Sequence, residues 1–134
     1  MPIQLAIVTP THEALDMECD EVVAPGAQGE VGLLPGHIPL ITALSPGVLT
    51  VIKGNTRRIF AVSEGFAEIE GDVVRVLTSA CEEAKTIDAE KAQTALQEAE
   101  EKLAELSPAS PGYADQRLRY RHNRARLDAY AQKE

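Results

Sequence analysis

Near residue 82 the apolar residues change their period, and this break fixes two kinds of structure in one chain. Before it, apolar side chains sit in short β-branched runs punctuated by Gly, Asn, Asp and Pro: 3–9, 48–52, 58–62 and 73–77. Phe66-Ala67-Glu68-Ile69-Glu70 alternates strictly, and Gly71-Asp72 offers a tight turn into the next run. About seven or eight short strands at roughly ten-residue spacing predict an antiparallel β-sandwich or flattened barrel over residues 1–84.

After the break, Ala92, Leu96, Ala99, Leu103 and Leu106 recur at alternating intervals of four and three, the seam of a helix packed on a partner helix. Thr86-Ile87-Asp88 supplies an N-cap, and Ser107-Pro108-Ala109-Ser110-Pro111-Gly112 breaks the helix, with Ser110-Pro111 a start for the next. The pattern predicts helices over about 88–106 and 112–131, folded back as an antiparallel hairpin within 85–134, with Tyr113, Tyr120 and Leu127 on the second seam. Charge supports the pairing: residues 82–106 carry a net charge of −5 and residues 112–134 a net charge of +3. The first seam is rich in Ala and the second has few large apolar groups. Burying Ala contributes far less than burying Leu, so the hairpin is expected to be marginal alone and to dock on something else.

With 21 acidic against 13 Lys and Arg, the chain carries −8 in total, which excludes sequence-independent nucleic-acid binding. A hydrophobic fraction of 44% excludes disorder. Cys19 and Cys81 have no metal-ligand spacing and suit a reducing compartment. No basic leader opens the chain and no stretch approaches the roughly 18 apolar residues of a membrane span, so a soluble product is expected. Catalysis is not expected either. His12, His37 and His122 lie in unlike contexts without carboxylate partners at ligand spacing, and no Gly-x-Ser-x-Gly elbow occurs.

One segment is more specific than any composition. Gly29-Glu30-Val31-Gly32-Leu33-Leu34-Pro35-Gly36-His37-Ile38-Pro39-Leu40 matches neither a P-loop nor a dinucleotide fingerprint. Its glycines are read as meeting backbone needs. Together with Ser63-Glu64-Gly65-Phe66-Ala67-Glu68-Ile69 and Thr86-Ile87-Asp88-Ala89-Glu90-Lys91-Ala92, it resembles the ε subunit of the F-type rotary ATP synthase across the whole chain.

The resemblance implies a non-catalytic rotor part at the foot of the central stalk, with the γ subunit, the c-ring and, through an extended hairpin, the α/β catalytic head as partners. The hairpin would act as a brake on ATP hydrolysis. Contact with the membrane would come only through the complex, on the cytoplasmic face of a bacterial inner membrane. Glu30, Val31, Leu33, Leu34, His37 and Ile38, with Leu40 nearby, are the implied contacts to γ and the c-ring. No cofactor is required and no metal site is implied. ATP is the one regulatory ligand the resemblance raises, since some relatives bind it through an Ile/Leu-Asp-x-x-Arg-Ala motif and second-helix arginines. The corresponding positions are Glu82, Asp88, Lys91, His122 and Arg126, with Lys91 and His122 departing from Arg. Lys lacks the bidentate fork that grips phosphate. Of the basic residues on the second helix, Arg117, Arg121 and Arg124 share one face and are assigned to the acidic first helix. Arg119 and Arg126 share another and are assigned to the head. An ATP-sensing module and a β-sandwich adaptor without regulatory duty are the alternatives.

Overall fold

A computed structural model describes residues 2–133, apart from the side chain of His37. Ten strands run in chain order: β1 (Ile3–Val8), β2 (Glu13–Cys19), β3 (Glu21–Gly26), β4 (Gly29–Leu33), β5 (His37–Leu44), β6 (Gly47–Lys53), β7 (Thr56–Val62), β8 (Gly65–Gly71), β9 (Val73–Thr78) and β10 (Cys81–Glu83). A 3-10 turn, Ala84–Thr86, leads to α1 (Ala89–Ala104) and α2 (Tyr113–Gln132).

The strands pair in the order β10-β7-β6-β3-β5-β8-β9-β1-β2, with β4 added to β3. Every pairing is antiparallel except β1 with β9. The sheet curls until β2 returns against β6, so the sandwich is a nearly closed barrel. Ile3, Leu5, Ile7, Val22, Leu33, Leu49, Phe60, Val62, Ile69, Val74 and Val76 fill it.

The strand count exceeds expectation because three strands lack the usual signal. β2 reads Glu-Ala-Leu-Asp-Met-Glu-Cys, poor in β-branched residues. β10 is three residues long. β4 lies inside the glycine-rich segment, which folds as a strand, a turn at Leu34–Gly36 and the start of β5 rather than one long loop. The turn at Gly71-Asp72 is as expected, with Glu70 paired to Val73 and Gly71 at φ 61°. Gly65 is required by contact: a Cβ there would lie 1.9 Å from the Leu77 carbonyl oxygen.

The helices form the expected hairpin with two local corrections. Asp88 caps α1, its carboxylate accepting from the Lys91 amide at 3.1 Å. For α2 the cap is Gly112, at φ 85° and with no side-chain bond, rather than Ser110-Pro111. The Ser110 hydroxyl instead accepts from the Ser107 amide at 3.0 Å, closing the interhelical turn. On α1, Ala92, Leu96 and Ala99 are buried, with Leu103 and Leu106 partly so. On α2 the buried residues are Asn123, Ala125 and Ala129, while Tyr113, Tyr120 and Leu127 are only half-buried. A spacing of seven tracks one face, but α2 has two: it is sandwiched between α1 and the outer face of β6 and β7.

Alternation along β7 explains that docking. Phe60 and Val62 point into the barrel, whereas Ile59 and Ala61 point outward and join Ala84, Ile87 and Ala129, with Val48 and Tyr130 at the rim. To this second cluster α2 contributes one alanine and part of one tyrosine.

Candidate functional site

Two regions carry the chemistry: the surface where the hairpin meets the sandwich, and the far end and outer face of the sandwich.

At the first, a polar trio bridges the two parts. Arg126 of α2 grips Glu82 of β10 with both sides of its guanidinium, Nε at 2.7 Å and Nη2 at 3.3 Å from the two carboxylate oxygens. Its Nη1 donates to Asn123 Oδ1 at 3.1 Å, and Asn123, 4% exposed, donates in turn to the Arg119 carbonyl at 2.9 Å. His122 lies beside them with Nδ1 buried and unpartnered. Burial, then the charge of Arg126, hold its imidazole below the ordinary value, against a smaller opposing pull from Glu82. The ring is neutral at pH 7.

Of the five positions assigned to ATP, the fold therefore brings together Glu82, His122 and Arg126. Asp88 and Lys91 sit in the first turn of α1, and among the described residues neither side chain hydrogen-bonds or ion-pairs with the trio. As arranged, these residues present no triphosphate cradle. Arg126 is saturated by Glu82 and Asn123, Asp88 caps a helix, His122 is uncharged, and Lys91 lines a shallow groove between Glu90 and Glu98.

The basic faces of α2 are used the other way round from expectation in this docked arrangement. Arg119, not the Arg117 face, meets the acidic first helix, pairing with Glu98 at 2.9 Å. Arg117, Arg121 and Arg124 are exposed, and Arg124 is 3.6 Å from Asp128 on its own helix. Residue spacing fixes which arginines share a face; only the docking of α2 fixes which way each face turns.

A neighbouring ion pair was missed. Arg58 of β7 pairs with Glu83 at 2.8 and 3.0 Å, which draws the carboxyl below the usual range and raises the guanidinium. Its signal is weak in sequence, since 25 residues separate the partners.

At the far end, the Leu34–Gly36 turn is tied to the β8–β9 turn by the Gly36 amide, which donates to Asp72 Oδ1 at 3.1 Å. Gly36 is at φ 75°, so the expected backbone role holds for it. Glu30 is exposed; Leu34 (51%) and Ile38 (76%) stand out into solvent, with Leu40 at 36%. Leu33 is corrected: it is 1% exposed and belongs to the barrel core, and Val31 leans against the same core. Both point inward on β4 because Glu30 and Gly32 point outward. The side chain of His37 lies outside the described residues.

Toward the opposite end of β8 and β9, an apolar band crosses the outer face. Cross-strand pairing aligns Ala43, Phe66, Leu77 and Val8 in one row, with Ile41 in the next row beside the Glu68–Arg75 ion pair. Phe66 is 56% and Ile41 70% exposed. The sequence carried a partial sign of this band: of the outward positions of β9, Val73 and Leu77 are apolar, with Arg75 between them.

Comparison with known proteins gives this arrangement its context. A family described as ATP synthase, Delta/Epsilon chain, beta-sandwich domain matches residues 2–84. The ATP synthase epsilon chain of Carboxydothermus hydrogenoformans is 47% identical over 107 residues, 79% of each chain. That of a Synechococcus strain is 40% identical over 131 residues, 96% of this chain and 97% of its own. Among solved structures, a chain of the Euglena gracilis mitochondrial ATP synthase assembly of OSCP, F1 and c-ring superposes with a TM-score of 0.82 at 26% identity, over 98% of this chain and 82% of its own. A chain of the Tetrahymena thermophila mitochondrial central stalk and c-ring shares the fold, with a TM-score of 0.61 at 12% identity. With its sandwich matched throughout and its helices covered by full-length relatives, the chain belongs to the ATP synthase ε family, as a non-catalytic subunit of that complex.

Proposed function

We propose that this subunit joins the γ shaft to the c-ring through its sandwich and restrains ATP hydrolysis through residues 85–134, which move as a unit between a docked and a released state. The observation that carries the reading is the thinness of the docking surface. α2 gives the sandwich one alanine, part of a tyrosine and one bidentate ion pair, Arg126 with Glu82. A seam this poor in large apolar side chains suits two states that differ by only a few kcal/mol, as a switch requires.

The ion pairs supply the exchange. While docked, Arg119 and Arg126 are paired with Glu98 and Glu82 of the same chain. Release separates Arg126 from Glu82 and makes it a cation available to acidic surfaces of the α/β head, whereas the Arg119–Glu98 pair lies within the hairpin and travels with it. The exposed band of Ile41, Phe66 and Leu77, and the end bearing Glu30, Leu34 and Ile38, are the surfaces offered to γ and the c-ring; monomeric proteins rarely leave so contiguous an apolar patch uncovered. The subunit is then peripheral, on the cytoplasmic face of a bacterial inner membrane. No helix among the described residues is long and apolar enough to cross it.

The test is inhibition of hydrolysis by an ε-depleted catalytic complex. Glu82→Gln removes the ion pair between α2 and the sandwich, loosens the docked state and should inhibit at lower concentration than the unmodified chain. Arg119→Glu with Arg126→Glu should assemble normally and inhibit less. Equal inhibition by all three contradicts the reading.

A second reading, nucleotide sensing, rests on the unpartnered Nδ1 of His122 beside Arg126. Nucleotide would have to take Arg126 from Glu82. A melting temperature that rises with ATP, and not in Arg126→Ala, would support it.

A further inference from the structure

Where the C-terminal end of α2 passes over the β6–β7 turn, the fold leaves a cleft of about 240 Å³. Three separate elements line it: Arg57 and Arg58 from β7, Glu83 and Lys85 from the segment between β10 and α1, and Gln132 and Lys133 from the end of α2. Four cationic residues and one carboxylate line it. Glu83 is already satisfied by the two-pronged grip of Arg58, so the excess of three positive charges falls on Arg57, Lys85 and Lys133. Among the described residues, Arg57 and Lys85 make no ion pair, in a chain whose overall charge is −8.

A helix C-terminus favours a nearby cation, which accounts for Lys133, but Arg57 and Lys85 come from other elements and converge on the same space. Arg57 turns this way because it occupies the outward register of β7 shared with Ile59 and Ala61, the face that α2 covers. Convergent cations around a concave space with an amide side chain at its edge are a recognition site for a multivalent oxyanion. The volume lies below the roughly 300 Å³ at which ordinary small-molecule pockets begin, and so suits a small anion rather than a whole nucleotide.

We propose that this cleft binds a small phosphate-type anion, orthophosphate or pyrophosphate, across the seam between sandwich and α2. None of the five residues assigned to ATP lines it. A ligand touching β7, Lys85 and the end of α2 at once binds the docked chain and not the released one, and therefore favours docking. That consequence rests on the mobility argued above. The binding itself needs only the docked arrangement, and the two can be separated.

The experiment is calorimetric titration of the full-length chain with orthophosphate and with pyrophosphate at constant ionic strength, alongside thermal unfolding. Saturable binding and a rise in melting temperature are expected. Arg57→Gln with Lys85→Gln should weaken binding by roughly tenfold or more, while Arg117→Gln with Arg124→Gln, on the exposed face of α2, should not. Three results would overturn the proposal: equal stabilisation by chloride, undiminished binding by the Arg57/Lys85 variant, or binding only to ATP. Co-sedimentation with phosphatidylglycerol vesicles but no response to free phosphate would assign the charge to lipid headgroups and also overturn it. A chain that binds phosphate yet fails to slow hydrolysis leaves the cleft standing and removes the braking function, so the two failures are distinguishable.

Discussion

Arg126 is the residue on which the docked state turns. Replacing it with Ala leaves Glu82 half-buried without its partner and frees Asn123 Oδ1, and the loss should be about 2 kcal/mol. Urea unfolding and the rate of proteolytic cleavage within 105–132 would both report it. His122 adds a pH dependence whose sign follows from its lowered imidazole. As pH falls through the ordinary imidazole value, near ~6.5, the released or unfolded chain takes up the proton before the docked one. Docking should therefore be strongest above that value, weaken on acidification and level off below the lowered value. Melting curves from pH 8 to 5, compared with those of His122→Gln, check this; a variant with the same slope would assign it elsewhere. Cys81 is pushed up to about 11, mainly by burial and then by Glu83 and Glu82. At pH 8 its folded thiol should react with a disulfide reagent at least roughly tenfold more slowly than the unfolded one, the loss of thiolate outweighing the higher nucleophilicity of a more basic sulfur. Sequence reading found Arg126 and Glu82 as a pair only through the family resemblance. No local pattern connects residues 44 apart, and nothing in the sequence marks Arg58 and Glu83 as partners.

At the scale of elements, the change of period near residue 82 was the most legible feature, and both helices lie within three residues of expectation at each end. Period-two runs rich in Val and Ile were equally plain. The strands that escaped are those whose pairing is decided by neighbours: β2 is held by β1 with Glu, Asp and Met on it, and β4 is held by β3 through a glycine-rich sequence. The seam on α2 was misjudged for a related reason, since a helix gripped on two sides does not show one clean stripe. Close approach is as demanding as periodicity. Gly65→Ala drives a methyl into the Leu77 carbonyl oxygen and should cost about 3 kcal/mol or more, read as a fall in the urea midpoint. A chain ending at Thr86 should instead keep its strands, because the barrel core and the α2-facing cluster are separate. Far-UV circular dichroism would show the helical signal lost and the strand signal kept.

The whole molecule sets a rigid barrel against a loosely attached hairpin. The barrel has a filled core and an uncovered apolar band, whereas the hairpin is held to it by small apolar groups, one tyrosine edge and the Arg126–Glu82 ion pair. Phe66→Glu, on the band, should leave the fold and its melting temperature nearly unchanged but weaken assembly with the γ-containing complex, measurable by co-purification. The central claim, that the hairpin brakes hydrolysis while the barrel provides the joint, is tested most directly by titrating the full chain and a chain ending at Thr86 into an ε-depleted catalytic complex while following ATP hydrolysis. Both should bind, and only the full chain should slow turnover. Equal slowing by both, or by neither, would contradict it.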